Sequence, residues 1–345
     1  MSQTVSPDQI LNTRGTHRAL DAFIIAATFT RDGSHAAFAL GDGSVVRAAP
    51  GEADWPRTTV HDGSALALAP DAAPGGLISG GDDGVFRRIA ADGTVSEIAG
   101  FGMKWVEQVA SHPAGKGVLA CAVGRSVHVF DGAGVKLKTL DHPSTVTGLA
   151  FDAKGKRIAA SHYNGATLWF VAAKTDSPRK LEWKGSHTAI ALSPDGDAVV
   201  TAMQENALHG WRLSDGQHMR MSGYPTKTRA LAFLRSGKWL ATSGADAIVL
   251  WPFFGGGPMG KAPTELAGGD NVVVSMVAAH PQNEVVAAGF ADGLVVVADV
   301  GTSRILPVAG PGRGPVSALA WSPNGSHLAI GTETGFAALV DFSKR

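Results

Sequence analysis

The run GGGPMGK at residues 255–261 has the G-x-x-x-x-G-K spacing of a phosphate-binding loop. Such a loop lies between a strand and a helix whose N-terminus faces the phosphates, and a Ser or Thr follows it to hold magnesium. Here Ala262 takes the hydroxyl position, and residues 264–269 are too few and too rich in glycine to form that helix. We therefore interpret residues 252–262 as a long loop between two strands and predict no nucleotide site there.

The other residue types that could do chemistry are scattered along the chain. The twelve histidines include no H-x-H or H-E-x-x-H spacing, and Cys121 is the single cysteine. No G-x-S-x-G elbow occurs, and paired carboxylates such as Asp82 and Asp83 stand in turn sequences. We predict no catalytic residue, no cofactor and no metal ligand from these patterns.

Composition narrows the class of protein further. Thirty basic and thirty acidic residues give a formal net charge of zero, which argues against a nucleic-acid binder. No run of about 18 apolar residues is present, so no membrane association is expected. A lone Cys121 in an apolar segment and an N-terminus unlike a secretory signal favour a buried thiol in a cytoplasmic protein. The abundance of Ala and Gly suggests a bacterial source.

A repeat organises the whole chain. The motif Leu-Ser-Pro-Asp-Gly at residues 192–196 recurs as Trp-Ser-Pro-Asn-Gly at 321–325, with degenerate copies between and before them. Around each copy, an alternating strand, a turn, a second strand, a tight Asp-Gly or Asn-Gly turn and a third strand follow in order. A more variable fourth strand comes next. The anchors of the eight copies stand at residues 29, 68, 110, 151, 192, 233, 278 and 321.

Four short antiparallel strands about every 41 residues are typical of a propeller blade, and the chain resembles the WD40-repeat β-propeller family over residues 19–342. The resemblance implies an all-β fold, with residues 1–345 as a single propeller domain. The repeats are divergent, because the Trp-Asp dipeptide of the family is absent. The family's network of His, Ser or Thr, Asp and Trp is approached only in the fourth copy, by the residues His142, Ser161, Asn164 and Trp169.

Eight copies predict eight blades of four strands. The last copy ends at Phe342 without a fourth strand, so residues 8–18 are expected to supply it and to close the ring. The alternative is a seven-bladed ring with one degenerate copy outside it. The second copy, which Pro74 and two glycines interrupt, is the first suspect.

The resemblance implies a rigid, non-catalytic platform that binds an unidentified protein or peptide, and we expect a monomer. In this family one face is built from the loops entering the first strands and the turns joining the second strands to the third. That rule selects aromatic and Arg residues, which are enriched at binding hot spots. The candidate contacts are Trp105, Tyr163, Tyr224, Arg229, Phe290 and Arg313.

Two alternatives stay open at this point. The long loop at residues 252–262 lies on the opposite face, and Phe253, Phe254 and Met259 would make a rival docking site if they are exposed. A propeller enzyme or metal-handling protein with a site in the central channel is the other alternative, and only the histidines and polar turns favour it.

Overall fold

The computed structural model describes residues 6–269 and 271–343, which contain one short helix and thirty strands. Within these ranges no helix has the length and apolar character of a membrane span. The first elements of the described residues are α1 (Gln9–Arg14) and β1 (Gly15–Ala19). Eight sequence repeats follow, and each anchor lies in the first strand of its repeat.

The strands follow the repeat register throughout. The first two repeats contain β2 (Ile24–Phe29), β3 (Ala36–Leu40), β4 (Ser44–Ala48), β5 (Arg57–Thr59), β6 (Ala65–Pro70), β7 (Leu77–Gly81), β8 (Val85–Ile89) and β9 (Val95–Gly100). The third and fourth contain β10 (Gln108–His112), β11 (Val118–Val123), β12 (Ser126–Asp131), β13 (Lys136–Asp141), β14 (Gly148–Phe151), β15 (Arg157–Phe170) and the first half of β16 (Arg179–Leu192).

The second half of the chain continues the same order. The fifth and sixth repeats contain the rest of β16, then β17 (Ala198–Met203), β18 (Ala207–Arg212), β19 (His218–Met221), β20 (Leu231–Phe233), β21 (Trp239–Thr242), β22 (Ile248–Pro252) and β23 (Thr264–Leu266). The last two contain β24 (Val274–Ala279), β25 (Val285–Phe290), β26 (Val295–Asp299), β27 (Ile305–Ala309), β28 (Val316–Trp321), β29 (His327–Thr332) and β30 (Phe336–Asp341).

The second strands are the most deeply buried elements. Every residue of β3, β11 and β17 is buried, because each lies inside a sheet whose two faces pack on neighbouring sheets. Small residues such as Ala and Gly at these positions let the sheets approach closely. An added methyl group at Gly80, for example, would lie 2.4 Å from the Val106 carbonyl oxygen of the next repeat. The core is therefore a series of apolar layers between sheets.

Consecutive strands pair antiparallel, and the first strands contact one another around the ring. The order of contacts is β2, β6, β10, β14, β16, β20, β24 and β28, and β28 returns to β2. Hydroxyl groups at one register position join the neighbours: Ser275 donates to the Val316 carbonyl and Ser317 donates to the Ile24 carbonyl, both at 2.6 Å. The single all-β propeller is thus confirmed.

The expectation of eight blades is wrong. The described strands form seven hydrogen-bonded sheets, which is the number of the alternative: six have four strands, and one has six. The fourth and fifth repeats share the six-stranded sheet, because β15 and β16 run for 14 residues each without a break. The first half of β16 pairs with β15, and its second half pairs with β17. The second repeat, suspected of lying outside the ring, forms a complete four-stranded sheet from β6 to β9.

The N-terminal segment closes the ring, although not along the whole of the expected range. Strand β1 pairs antiparallel with β30 from Gly15 to Ala19, whereas the preceding residues form α1. Leu11 of α1 is fully buried against the seventh and eighth repeats. The Asp8 carboxylate accepts two hydrogen bonds from the Arg313 guanidinium, each 3.0 Å long. Leu11 and the Asp8–Arg313 ion pair therefore hold the segment around α1 against the repeats that β1 joins.

Candidate functional site

The antiparallel order of the strands defines two faces of the ring. The loops that enter the first strands and the turns between second and third strands share one end, which we call the loop face. The opposite face carries the turns after the first strands and the loops between third and fourth strands. The exposed large apolar side chains Phe23, Met103, Trp105 and Tyr163 lie on the loop face.

Arg229, a contact residue selected from sequence, is exposed to solvent. Its side chain is 72% exposed, and its guanidinium lies 3.9 Å from the Glu333 carboxylate. Arg229 comes from the sixth repeat and Glu333 from the eighth, so the pair spans the seventh repeat. A cavity of about 440 Å3, here called the Arg229 cavity, opens beside the pair. Its wall consists of Thr226, Lys227, Arg229, Val273, Val274, Ser275, Ala291, Pro315 and Glu333.

Trp105 and Tyr163 are also available to a partner. Their side chains are 56% and 57% exposed, so each presents a large apolar area to solvent. The backbone amide of Tyr163 donates to the Ser144 hydroxyl at 2.9 Å, so the turn is tied to the neighbouring entering loop. The structure therefore presents two exposed aromatic side chains on the loop face.

Tyr163 separates two grooves at the junction of the fourth and fifth repeats, and Trp183 lines both of them. The Trp183 ring stacks on His209 with 4.0 Å between centroids. Nε2 of His209 lies 2.9 Å from Nδ1 of His218. Burial, together with the nearby His218, lowers the pKa of His209 to about 3, so this stack is neutral at ordinary pH. Trp183 was not selected from sequence, because only the packing reveals its exposed edge.

Tyr224 is not a surface residue, which corrects the sequence-based expectation. Only 8% of it is exposed, and its hydroxyl oxygen accepts a hydrogen bond from Nε1 of Trp251 at 2.6 Å. The same hydroxyl lies 2.6 Å from Oγ1 of Thr242, which itself faces the Val249 carbonyl oxygen. Tyr224 therefore organises the interior of the sixth repeat and offers no ring to a partner.

Phe290 and Arg313 are corrected in the same way. Phe290 is 4% exposed and belongs to the apolar layer between the sixth and seventh repeats. Arg313 pairs with Asp8, and its guanidinium carbon lies 5.0 Å from the centre of the Phe336 ring. The hydrogen bond from Arg313 lowers the pKa of Asp8 below its ordinary value. Phe290 is therefore buried, whereas Arg313 is engaged by Asp8 and Phe336 although a quarter of its side chain stays exposed.

The long loop on the opposite face is only partly exposed. Phe253 packs edge-on against Phe233 at 4.9 Å between centroids, whereas Phe254 and Met259 are each 45% exposed. The ammonium nitrogen of Lys261 lies 4.8 Å above the Phe254 ring and donates to the carbonyl oxygens of Phe254 and Gly255. The lysine of the phosphate-loop spelling thus bonds to its own loop.

Structural networks occur in more repeats than the sequence suggested. In the fourth, Nε1 of Trp169 donates to Nε2 of His142 at 3.0 Å, as the resemblance implied. In the sixth, Tyr224 takes the place of the histidine, and the spacing from it to the tryptophan is 27 residues in both repeats. That shared spacing is the signal that could have placed Tyr224 in the core.

The second repeat holds a Ser-His-Asp arrangement that sequence reasoning missed. His61 lies 2.9 Å from the Ser79 hydroxyl through Nε2 and 3.0 Å from the Asp83 carboxylate through Nδ1. Ser79 has no exposed surface, and His61 has only 2%. The Ser79 hydroxyl also lies 2.9 Å from the Ala67 carbonyl oxygen of β6 and can donate to it. No substrate can reach this hydroxyl in the folded protein, so the arrangement is structural.

The channel wall carries little that could bind a cation. The first strands of the eight repeats contain no Asp, Glu, Lys or Arg. In residues 6–269 and 271–343, no group of three or more His, Cys, Asp or Glu side chains is placed to hold a metal ion. Cys121 is fully buried, and burial raises the pKa of its thiol. These observations give no support to a site in the channel.

Residues 305–339 match the WD40 family, which is described as "WD domain, G-beta repeat". These residues cover the last strand of the seventh repeat and nearly all of the eighth, so the match coincides with the repeat register. The chain is a β-propeller, and its residues 305–339 match a WD40 repeat. Other repeats differ from the family pattern at the positions described above. In the sixth, for example, Tyr224 takes the place of the histidine.

The propeller is similar to proteins of several kinds. It is 28% identical over 163 residues to WD repeat-containing protein slp1 of Schizosaccharomyces pombe, an alignment of 44% of this chain with 33% of that protein. It is 23% identical over 289 residues to Autophagy-related protein 16 of Arabidopsis thaliana, covering 81% of this chain and 56% of that protein. The chain thus spans a third and just over half of the lengths of these relatives.

A solved structure supports the fold alone. The crystal structure of the computationally designed Ika8 protein superposes with a TM-score of 0.75 at 18% sequence identity. The superposition covers 94% of this chain and 98% of that chain. The match therefore extends around almost the whole ring.

Proposed function

We propose that this propeller is a non-catalytic platform that binds a protein or peptide partner on its loop face. The observation that carries the proposal is the exposure of Trp105, Tyr163 and Arg229, which all lie on that face. Aromatic and Arg side chains dominate the energetics of protein interfaces. WD40 propellers typically serve as interaction scaffolds, and this chain has the exposed anchors that such a role needs.

The buried state of the reactive groups also favours a binding role over catalysis. The Ser79 hydroxyl and the Cys121 thiol are both enclosed in the core. A nucleophile must be reachable by its substrate, and a thiol with a raised pKa is a poor one at neutral pH. The proposed activity is therefore recognition, and neither group takes part in it.

The test compares the two faces by substitution. The triple variant W105A/Y163A/R229A alters the loop face, and the matched variant F254A/M259A alters exposed apolar residues on the opposite face. Each protein is used for affinity purification from the source lysate, followed by mass spectrometry. We expect specific partners to be lost with the loop-face variant and kept with the other.

The opposite pattern would identify the loop at residues 252–262 as the docking site and overturn the assignment of the loop face. Thermal unfolding of each variant is the control. All substituted side chains are exposed by 45% or more, so the transitions should match that of the wild type.

A further inference from the structure

A second cavity lies on the loop face between the sixth and seventh repeats. It has a volume of about 250 Å3, and we call it the Phe290 pocket because the Phe290 ring forms part of its base. Its wall consists of Asp246, Ala267, Gly268, Val272, Phe290, Asp292, Leu294, Val296 and Ile305. Six of these nine residues have apolar side chains, which come from three strands, from the turn between β25 and β26, and from the loop that enters the seventh repeat.

The size and wall of the pocket suit one side chain. Pockets for drug-sized ligands usually measure about 300–1,000 Å3, so this cavity is below that range. Phe290 and Val296 are buried in the layer between the repeats and give the pocket a fixed base. An aliphatic side chain entering from the loop face would cover this apolar surface without moving the strands.

Two carboxylates stand among the apolar residues. Asp246 lies in the turn between β21 and β22, and Asp292 lies in the equivalent turn of the seventh repeat. Neither forms an ion pair within the described ranges. Oδ1 of Asp292 accepts a hydrogen bond from the Leu294 amide at 2.9 Å, which holds the carboxylate in place. The pocket therefore has a negative rim that a cation could neutralise.

The neighbouring cavity is lined by two cationic side chains, Lys227 and Arg229, and by one carboxylate, Glu333. Val273 and Ala291 line the Arg229 cavity, and the adjacent Val272 and Asp292 line the Phe290 pocket. The backbone at residues 272–273 and 291–292 therefore lies between the two cavities, and we call it the ridge. Lys227 and Arg229 lie on one side of the ridge, and the carboxylates of Asp246 and Asp292 lie on the other. A partner segment that crosses the ridge would therefore bind in one orientation, with its basic residue beside Asp246 and Asp292.

We propose that the Phe290 pocket takes an aliphatic side chain of a partner protein, with a neighbouring Lys or Arg held by Asp246 and Asp292. The proposal rests on the platform function and names the chemistry that part of the platform recognises. Phe290 was selected from sequence as a contact residue. In this proposal its buried ring forms part of the base on which the aliphatic side chain packs. The specificity arises from apolar fit and from charge, which together discriminate better than either alone.

The experiment uses a random 12-residue peptide library displayed on phage, selected on the full chain. Wild type should enrich peptides with Leu, Ile or Val next to Lys or Arg. The variant D246N/D292N keeps the size of both side chains and the acceptor for the Leu294 amide but removes both charges. We expect enriched peptides to bind this variant about five-fold more weakly, the size of a partly exposed ion pair.

The matched control is D299N, which removes a carboxylate at the other end of β26 and should leave peptide binding unchanged. Raising salt from about 0.05 to 0.3 M should weaken binding to wild type and narrow its difference from D246N/D292N. A failure to enrich any motif, a motif without a basic residue, or unchanged binding to D246N/D292N would overturn the proposal.

Failure of the pocket and failure of the platform give different results in the lysate purification. If the platform stands and the pocket does not, W105A/Y163A/R229A loses partners and D246N/D292N keeps all of them. If the platform is wrong, the loop-face triple variant keeps its partners as well.

Discussion

The sharpest prediction concerns the two tyrosines, which are the only ones in the chain. Tyr224 is buried and Tyr163 is exposed, so Y224F and Y163F remove the same atom from opposite environments. In Y224F, Nε1 of Trp251 loses its acceptor inside the sixth repeat. Thr242 keeps its contact with the Val249 carbonyl oxygen, so one orphaned donor is the main loss.

The expected magnitude follows from that single group. A buried donor left without a partner costs about 1–3 kcal/mol, and we take about 2 kcal/mol. The unfolding entropy at about 2.1 cal/mol/K per residue, over 345 residues, amounts to about 0.7 kcal/mol/K. The melting temperature of Y224F should therefore fall by about 3 °C, whereas Y163F should match the wild type.

The assay is urea unfolding at pH 7 followed by tryptophan fluorescence, with thermal unfolding in parallel. A free energy of unfolding for Y224F within about 0.5 kcal/mol of the wild type would refute the network, since surface changes stay within that limit. Equal losses in Y224F and Y163F would also refute it, because the burial of Tyr224 would then have no effect.

The same residue predicts an alkaline transition. Burial raises the pKa of Tyr224 to about 12, above its unfolded value of about 10. The resulting stability is fully present below pH 10 and is lost as the pH rises through 12. In Y163F, absorbance at 295 nm reports Tyr224 alone, and its midpoint should lie near 12 in the folded protein and near 10 in urea. A midpoint near 10 in the folded protein contradicts the described burial.

Three other predictions test the closure and the core. L11A should lower the free energy of unfolding by about 2–5 kcal/mol in urea, because Leu11 is fully buried; a smaller loss would mean that α1 does not seal the ring. The hydrogen bond from Arg313 lowers the pKa of Asp8, so its stability is present above pH 4 and is lost as the pH falls further. D8N should be less stable than wild type at pH 6, and the gap should close near pH 2. Cys121 should react with Ellman's reagent only after unfolding, since it is fully enclosed; fast labelling of folded protein would contradict this.

The repeat and the strand order could be predicted because they are encoded locally. Each strand alternates over a few residues, and each tight turn needs residues that accept positive φ, as at Asn164 with φ of 65°. Every one of the eight anchors accordingly lies in a first strand. The glycine-rich loop also lies between two strands, β22 and β23, as its interpretation from sequence predicted.

The boundaries between sheets could not be predicted with the same rules. The residues Asn164 and Gly165 predict a turn between two strands. In the structure the backbone instead continues through them as one strand of 14 residues. Strand β16 likewise passes from the outer edge of one repeat to the inner ring of the next. Such continuity depends on hydrogen bonds to partners on both sides, and local spacing does not report it.

The exposure of the site residues was decided by tertiary structure alone. Trp105 and Tyr224 both stand in entering loops, but one ring faces solvent and the other reaches Trp251 in the core. Arg313 is engaged by Asp8, which is 305 positions away in sequence. The sequence by itself determined the period and the order of the strands, since these depend on neighbours along the chain. Which side chains are left to meet a partner depends on packing between repeats, and only the folded ring brings those surfaces together.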